Sequence, residues 1–307
     1  MKLKFMMAVV LSVLCLSACS SFRETGISDD REIRQIMTEH SEEIELPANP
    51  KRVVLFRGID AGNAELLGGS TVGVNGIVQD SGYSDEFLGA DVTYLEHGDL
   101  DALEAVNPDL IVTYTPDEHL FEYQEIAPTV QVNYSTSTFS PFKERLYLTH
   151  LFNLGVILNK EEKAEEIGDA WLEESTRLQR EAAERVAGNT AVVLSKEDDG
   201  YFLYDEYTAF GTEAVYDVLK FGIDETLAAE FEERGSGSKK LRELAEIESD
   251  YIFVSVREGE ADGVKEEVAQ AFDVPPGQVI LLDYGTFRLN DLISVEKQTK
   301  EIIERIK

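Results

Sequence analysis

Catalytic chemistry has few places to sit in this sequence. Its four histidines, His40, His97, His119 and His150, are scattered, whereas a zinc centre draws several His and carboxylate ligands together. His150 falls among apolar residues of a helical segment, the place of a hydrogen-bonded packing residue. Ser236 stands between Gly235 and Gly237, but no apolar strand leads into it, as a nucleophile elbow requires. No Walker loop, dinucleotide fingerprint, His-Glu-x-x-His or Cys-x-x-Cys pattern is present. No catalytic residue, metal site or cofactor is therefore assigned, and a non-enzymatic role is expected. The only cysteines, Cys15 and Cys19, lie close to the N-terminus.

Lys2 and Lys4 precede a 12-residue apolar run from Phe5 to Leu16. A helix crossing the bilayer core needs roughly 20 residues, so this pattern describes a secretory signal peptide, residues 1–18. Leu16-Ser17-Ala18-Cys19 resembles the lipobox of bacterial lipoproteins. That resemblance implies cleavage before Cys19, acylation of its thiol and new amino group, and a protein tethered by lipid to the outer face of the bacterial cell membrane. Residues 19–32 are polar and read as a flexible tether. With Cys15 removed and Cys19 lipidated, no disulfide is expected.

Charge narrows the partners. The chain carries 28 basic and 60 acidic residues, a formal charge of −32. Loss of residues 1–18 removes only Lys2 and Lys4, bringing the charge to −34. Nucleic acid, whose phosphates need Lys and Arg, is excluded as a partner. Anionic lipid would not hold such a surface, so the membrane anchor has to be the lipid chains. A hydrophobic content of 43% is ordinary for a folded protein.

The positioning elements follow from periodicity. Residues 33–47 alternate as a strand pair, Arg52–Phe56 reads as a buried strand, and Asp60–Leu67 as a helix closed by Gly68-Gly69. Strands are expected at Leu110–Thr113 and Thr129–Asn133 with helix between them. Residues 141–186 read as nearly continuous helix, ended by Gly188-Asn189. Strands then return at Ala191–Leu194, Tyr251–Ser255 and Val279–Leu282. Helices are expected around Thr212–Leu219 and over Val295–Ile306, with Gly235-Ser236-Gly237-Ser238 as a mobile loop. The run Leu100-Asp101-Ala102-Leu103 through Asn107-Pro108-Asp109-Leu110 recurs as Leu241-Arg242-Glu243-Leu244 through Glu248-Ser249-Asp250-Tyr251. Each copy is a short helix, a turn through Asp and a buried strand. The repeat predicts two lobes of like design, with βαβ order and mostly parallel sheets.

Several short motifs in this order resemble the iron–siderophore substrate-binding lipoproteins of ABC importers. They are Leu46-Pro47-Ala48-Asn49-Pro50-Lys51-Arg52-Val53-Val54, Asn107-Pro108-Asp109-Leu110-Ile111, Ile126-Ala127-Pro128-Thr129-Val130, and Leu289-Asn290-Asp291 with Ile293-Ser294 and Gln298. The resemblance runs from about residue 33 to the end. It implies an α/β fold of two Rossmann-like lobes joined by a long helix, with a ligand cleft between the lobes. The expected boundaries are 33–140 for the first lobe, 141–187 for the connecting helical segment and 188–307 for the second lobe. The implied ligand is a ferric siderophore and the implied partners are ABC permease subunits, with the receptor a monomer. Haem, cobalamin or ferric citrate are alternative ligands; a surface-anchored hydrolase and an adhesion module are readings of a different class.

A ferric siderophore arrives with its iron already chelated, so its receptor needs Arg donors and aromatic faces, not metal ligands. In open α/β sheets ligands sit beyond the carboxyl ends of the strands. Arg57, Tyr114 and Arg257 follow strands, as do Tyr201 with Tyr204, and Tyr284 with Phe287 and Arg288; these are the expected ligand-binding residues. The family also implies a permease-docking carboxylate on each lobe, before the Pro-Asp-strand signature. The first-lobe position is Asp101. The second-lobe position is Arg242, which reverses the charge, and Glu243 is the neighbouring candidate.

Overall fold

The computed structural model describes residues 32–37, 43–133, 140–206 and 208–306. The signal peptide, Cys19, the tether as far as Arg31, and His40 lie outside the described residues. From Ile33 on, the chain forms one compact unit. It opens with an antiparallel hairpin, β1 (Ile33–Met37) and β2 (Glu43–Pro47), in which Ile33 faces Pro47. Arg34 fastens this hairpin to the body by donating to the carbonyls of Val156 and Ile157.

The first lobe follows. Its elements are β3 (Val53–Leu55), α1 (Asp60–Leu67), β4 (Thr71–Asn75), a 3-10 turn at Gly76–Asp80, α2 (Ser84–Phe87), β5 (Thr93–Leu95), α3 (Leu100–Ala105), β6 (Leu110–Tyr114), α4 (Leu120–Ile126) and β7 (Thr129–Val132). All five strands are parallel, in the order β5-β4-β3-β6-β7. Helix α1 ends as the sequence predicts, with Gly68 in the left-handed region at φ 71° and its N–H returned to the carbonyls of Ala64 and Glu65.

Two helices lead to the second lobe. In α5 (Leu146–Ile157) almost every side chain is buried. In α6 (Glu161–Val186) the buried residues are Ala164, Gly168, Trp171, Ser175, Leu178, Ala182 and Val186, a stripe three or four apart along one face. The nearly continuous helical stretch expected over 141–186 is thus two helices, the longer being α6. Asn159, at φ 59°, turns the chain between them, a conformation Asn tolerates better than most residues. At 26 residues, α6 is about 39 Å long.

The second lobe repeats the design: β8 (Ala191–Glu197), β9 (Gly200–Tyr204), a π-helical turn at Glu213–Val218, α7 (Glu225–Arg234), β10 (Gly237–Lys239), α8 (Leu241–Leu244), β11 (Tyr251–Val256), α9 (Val264–Ala271), a 3-10 turn at Pro276–Gln278, β12 (Val279–Asp283), α10 (Tyr284–Phe287) and α11 (Leu292–Arg305). Its order, β10-β9-β8-β11-β12, matches that of the first sheet position for position. Only β9 runs antiparallel to its neighbours. The Gly-Ser segment expected as a loop is in part an edge strand, with Gly237 facing Leu203 and Lys239 facing Tyr201.

The sequence repeat has a physical basis. The Asp109 carboxylate accepts the N–H groups of Lys51 and Arg52 at 2.7 and 2.9 Å, clipping the entry to β3. Asp250 does the same at the entry to β8, accepting from the N–H and hydroxyl of Thr190 at 2.8 and 3.0 Å. Each Asp thereby sets the start of its own strand against the central strand of its lobe.

The lobes are braced in three places. Trp171 of α6 donates to the Tyr147 hydroxyl of α5 at 2.9 Å, and that hydroxyl donates to Asp217 of the π-helical turn at 2.8 Å. Arg145 pairs with the same Asp217 at 3.0 Å. Helix α11, although last in the second lobe, also packs on α1, where Leu292 N–H donates to the Asn63 side chain at 3.0 Å. Among the described residues no helix is long and apolar enough to cross a membrane.

Candidate functional site

The carboxyl ends of the two sheets meet at a seam. The chain leaving β4 touches the chain leaving β12: Gly82 N–H donates to the Thr286 hydroxyl at 3.0 Å, and a Cβ on Gly285 would stand 2.1 Å from the Asp80 carbonyl oxygen.

The second-lobe wall is aromatic and carries a guanidinium. Tyr204, at the end of β9, stacks on Phe210 with ring centres 4.4 Å apart and planes 15° apart. Phe210 in turn meets Tyr284 edge-on at 5.1 Å. The Arg257 guanidinium lies 4.1 Å over the Tyr284 ring, and it also donates to the Lys196 carbonyl at 3.3 Å. Phe210, Tyr284 and Arg288 are partly exposed and Arg257 is open to solvent. The Tyr204 hydroxyl shares a hydrogen bond with Ser195 at 2.9 Å. Burial pushes the Tyr204 phenol up to about 12, and the Ser195 bond and nearby Arg288 act the other way. The Tyr204 phenol stays neutral at ordinary pH, and the wall offers aromatic ring faces.

On the first-lobe side Tyr114, at the end of β6, stacks on the His97 ring at 5.3 Å. His97 follows β5, meets Phe56 edge-on at 5.4 Å, and shares a hydrogen bond from Nε2 to Asp117 at 3.1 Å. Burial raises the Tyr114 phenol, with Asp117 and Glu118 adding to the rise. Arg57 follows β3 but is 1% exposed. Its Nε lies 3.3 Å from Asp60 and its NH1 donates to the Asn133 carbonyl at 3.4 Å. Burial lifts the Asp60 carboxyl to about 6 against the pull of Arg57. A guanidinium held this way braces the strand end more than it reaches outward.

Four of the eight expected ligand residues stand together on the second lobe: Arg257 lies over Tyr284, Tyr204 reaches Tyr284 through Phe210, and Arg288 is near Tyr204. Tyr114 contacts His97 on the first lobe. Tyr201 does not join them. It lies three residues from Tyr204 on the same strand, so it faces the opposite side of the sheet, buried among Leu227, Leu244 and Ile252. Phe287 is fully buried under the wall. Phe210 and His97 were missed as wall residues. An apolar Phe following Asp205-Glu206-Tyr207-Thr208-Ala209 in a turn-like stretch was the available signal for Phe210.

Asp101 and Arg242 are exposed at the second position of α3 and α8, so the two copies of the repeat are in the same register. Glu243 occupies the third position, and its carboxylate accepts the Lys240 N–H at the start of its own helix at 2.6 Å.

Comparison with known proteins agrees with this architecture. A family model described as periplasmic binding protein matches residues 65–272. The FhuD2 protein of Staphylococcus aureus, solved with bound ferrioxamine B, is 25% identical with a TM-score of 0.73, covering 83% of this chain and 98% of its own. The FhuD protein of S. pseudintermedius is 18% identical with a TM-score of 0.75, covering 89% and 98%. The petrobactin-binding protein YclQ of Bacillus subtilis is 21% identical with a TM-score of 0.66, covering 90% and 99%. No curated protein matches the chain.

Proposed function

The chain belongs to the periplasmic binding protein family, and from that premise we propose that it is the extracytoplasmic receptor of an ABC importer, capturing a ferric siderophore in the seam between its lobes and handing it to the permease. The observation that carries this reading is the wall of Tyr204, Phe210, Tyr284 and Arg257 on the second lobe, with Arg257 and Tyr284 just past the carboxyl ends of β11 and β12. Ring faces suit the organic arms of an iron chelate, and the guanidinium suits the oxygens around the metal. The similar S. aureus protein was solved with ferrioxamine B, and a match of this kind supports the same class of cargo here.

Charge selects within that class. A protein of formal charge −32, with Arg57 held against Asp60 and Arg257 within 3.8 Å of Glu260, favours neutral or cationic chelates over highly anionic ones. Closure on the ligand is small, because α5, α6 and α11 brace both lobes. The permease distinguishes loaded from empty receptor only through surfaces that differ between the two. Cys19 acylation anchors the receptor, Asp101 is the first-lobe docking carboxylate, and Glu243, beside the charge-reversed Arg242, is the second-lobe candidate.

The test is quenching of intrinsic fluorescence by ferrioxamine B and ferric petrobactin, with haem, cobalamin and ferric citrate as competitors. Saturable binding of a siderophore in preference to the other three is expected. Preference for haem, cobalamin or citrate would overturn the siderophore reading.

A further inference from the structure

The wall residue Phe210 sits in an unusual piece of backbone. Ala209, Phe210 and Gly211 have φ values of 65°, 56° and 88°, three consecutive residues in the left-handed region. Two of them carry side chains, for which this region is unfavourable. Such a turn persists only where its surroundings dictate it.

The surroundings are specific. Glu213 is 3% exposed. Its Oε1 accepts the Ala209 N–H at 3.3 Å and the Asn290 side-chain amide at 2.7 Å. Its Oε2 lies 3.2 Å from the Thr212 hydroxyl, which donates to the Ala209 carbonyl at 2.8 Å. The carboxyl thus holds the Ala209 N–H directly and lies against Thr212, whose hydroxyl and N–H hold the Ala209 carbonyl. From below, the buried Phe287 ring fills the space under Gly211, where a Cβ would come within 2.9 Å of it. The π-helical turn begins at Glu213 itself, and an insertion of this kind re-aims the residues at its start.

A core position has no need of a carboxyl, which is costly to bury. We propose that Glu213, clamped by Asn290, is a positioning residue of the ligand wall: it holds the left-handed turn that presents the Phe210 ring face to a ferric chelate. The inference rests on the receptor reading and deepens it. Burial raises the Glu213 carboxyl above its ordinary value. Its neutral form donates from Oε2 to Thr212 and keeps the same grip, so an amide fits the site as well.

The experiment measures binding of ferrioxamine B and ferric petrobactin to the parent, Phe210→Leu, Glu213→Leu, the double variant and Glu213→Gln, together with each melting temperature. Loss of one aromatic face weakens binding by about 3- to 10-fold. Glu213→Leu should weaken it as much as Phe210→Leu does, while Glu213→Gln recovers most of the loss. The double variant should bind no more weakly than either single one, because Glu213 acts through Phe210. A merely structural Glu213 would lower the melting temperature and leave the affinity of the folded protein unchanged, and that result overturns the proposal. So do losses that multiply in the double variant. If Glu213→Leu does not fold, Asn290→Ala alone and with Phe210→Leu carries the same comparison. A parent that binds neither chelate removes the receptor reading and the inference with it, whereas a parent that binds while Glu213→Leu binds equally removes the inference alone.

Discussion

Asp291→Asn should make this protein more stable at pH 8 and leave it unchanged near pH 3.5. Asp291 caps α11: its Oδ1 accepts the Ser294 N–H at 3.0 Å and its Oδ2 accepts the Ser294 hydroxyl at 2.6 Å. It is also wholly buried, and burial lifts its carboxyl from 3.8 to about 6. The folded state therefore holds a proton that the unfolded chain releases. Stability falls as pH rises from about 4 to about 6 and stays lower above that. A shift of 2.2 units corresponds to about 3 kcal/mol at 1.36 kcal/mol per unit. The N-terminus of α11 favours the anion by about 0.3–1 kcal/mol, which reduces the penalty to roughly 2. Asn caps helices as well as Asp does, accepting from the Ser294 N–H while its amide donates to the Ser294 hydroxyl. The assay is urea unfolding of parent and variant at pH 3.5, 5, 6.5 and 8. The expected difference is near zero at the lowest pH and about 2 kcal/mol in favour of Asn at the highest. A difference independent of pH, or an Asn variant weaker at pH 8, would refute the reasoning. Asp60, also lifted to about 6, should not give the same gain, because Asp60→Asn takes away the carboxylate facing Arg57.

Four further outcomes follow from the same contacts. Gly62→Ala would gain about 1 kcal/mol of helix propensity, but its methyl would land 2.0 Å from the Asp291 carboxylate, so thermal unfolding should show a net loss of about 1–3 kcal/mol. Arg257→Ala removes the guanidinium over Tyr284 and should weaken ferrioxamine B binding roughly 10-fold in a quenching titration, the lower end for a charge-assisted contact because Arg257 is exposed; unchanged affinity would take Arg257 out of the wall. Cys19→Ala should leave the protein unprocessed or shed into the medium, and lipid-modified, detergent-extracted protein in that variant would refute the lipobox assignment. Asp101→Ala should lower siderophore uptake by cells while leaving affinity for the ligand intact, and normal uptake would exclude the first-lobe docking contact.

What the sequence made legible was set by which elements depend on side chains. Strands β6 and β11 are buried along almost their whole length, so both read as apolar runs. The Asp109 and Asp250 clips need a carboxylate at one position, which is why the repeat could be seen at all. Strand β10 depends on backbone pairing with β9, and Gly237-Ser238-Lys239 carries no apolar signal. The break between α5 and α6 is marked in the sequence by the change from apolar residues to Asn159-Lys160-Glu161-Glu162-Lys163, with Asn159 in the left-handed region making the turn. A charged run also suits the start of a solvent-facing helix, however, and so does not by itself signal an end.

The site divides along the same line. Strand ends are predictable, so Arg57, Tyr114, Arg257 and Tyr284 could be placed at the carboxyl ends of parallel strands from order alone. Tyr204, by contrast, ends the antiparallel β9 opposite Val193 of β8 and joins Tyr284 only through Phe210. Which way each points is a matter of strand parity and ion pairing. Tyr201 and Tyr204 look equivalent in sequence, yet an odd spacing sends them to opposite faces. Arg57 and Arg257 look equivalent too, but Asp60, three residues after Arg57, holds the first inside while the second lies open on Tyr284. Glu213 is the limiting case. A glutamate in a chain with 60 acidic residues reads as surface, and it is Asn290, 77 positions away, together with Thr212 and the Ala209 N–H that make its burial tolerable. Residues that touch ligand can be sought at strand ends, whereas those that fix the shape of the wall are joined by contacts that no local pattern carries.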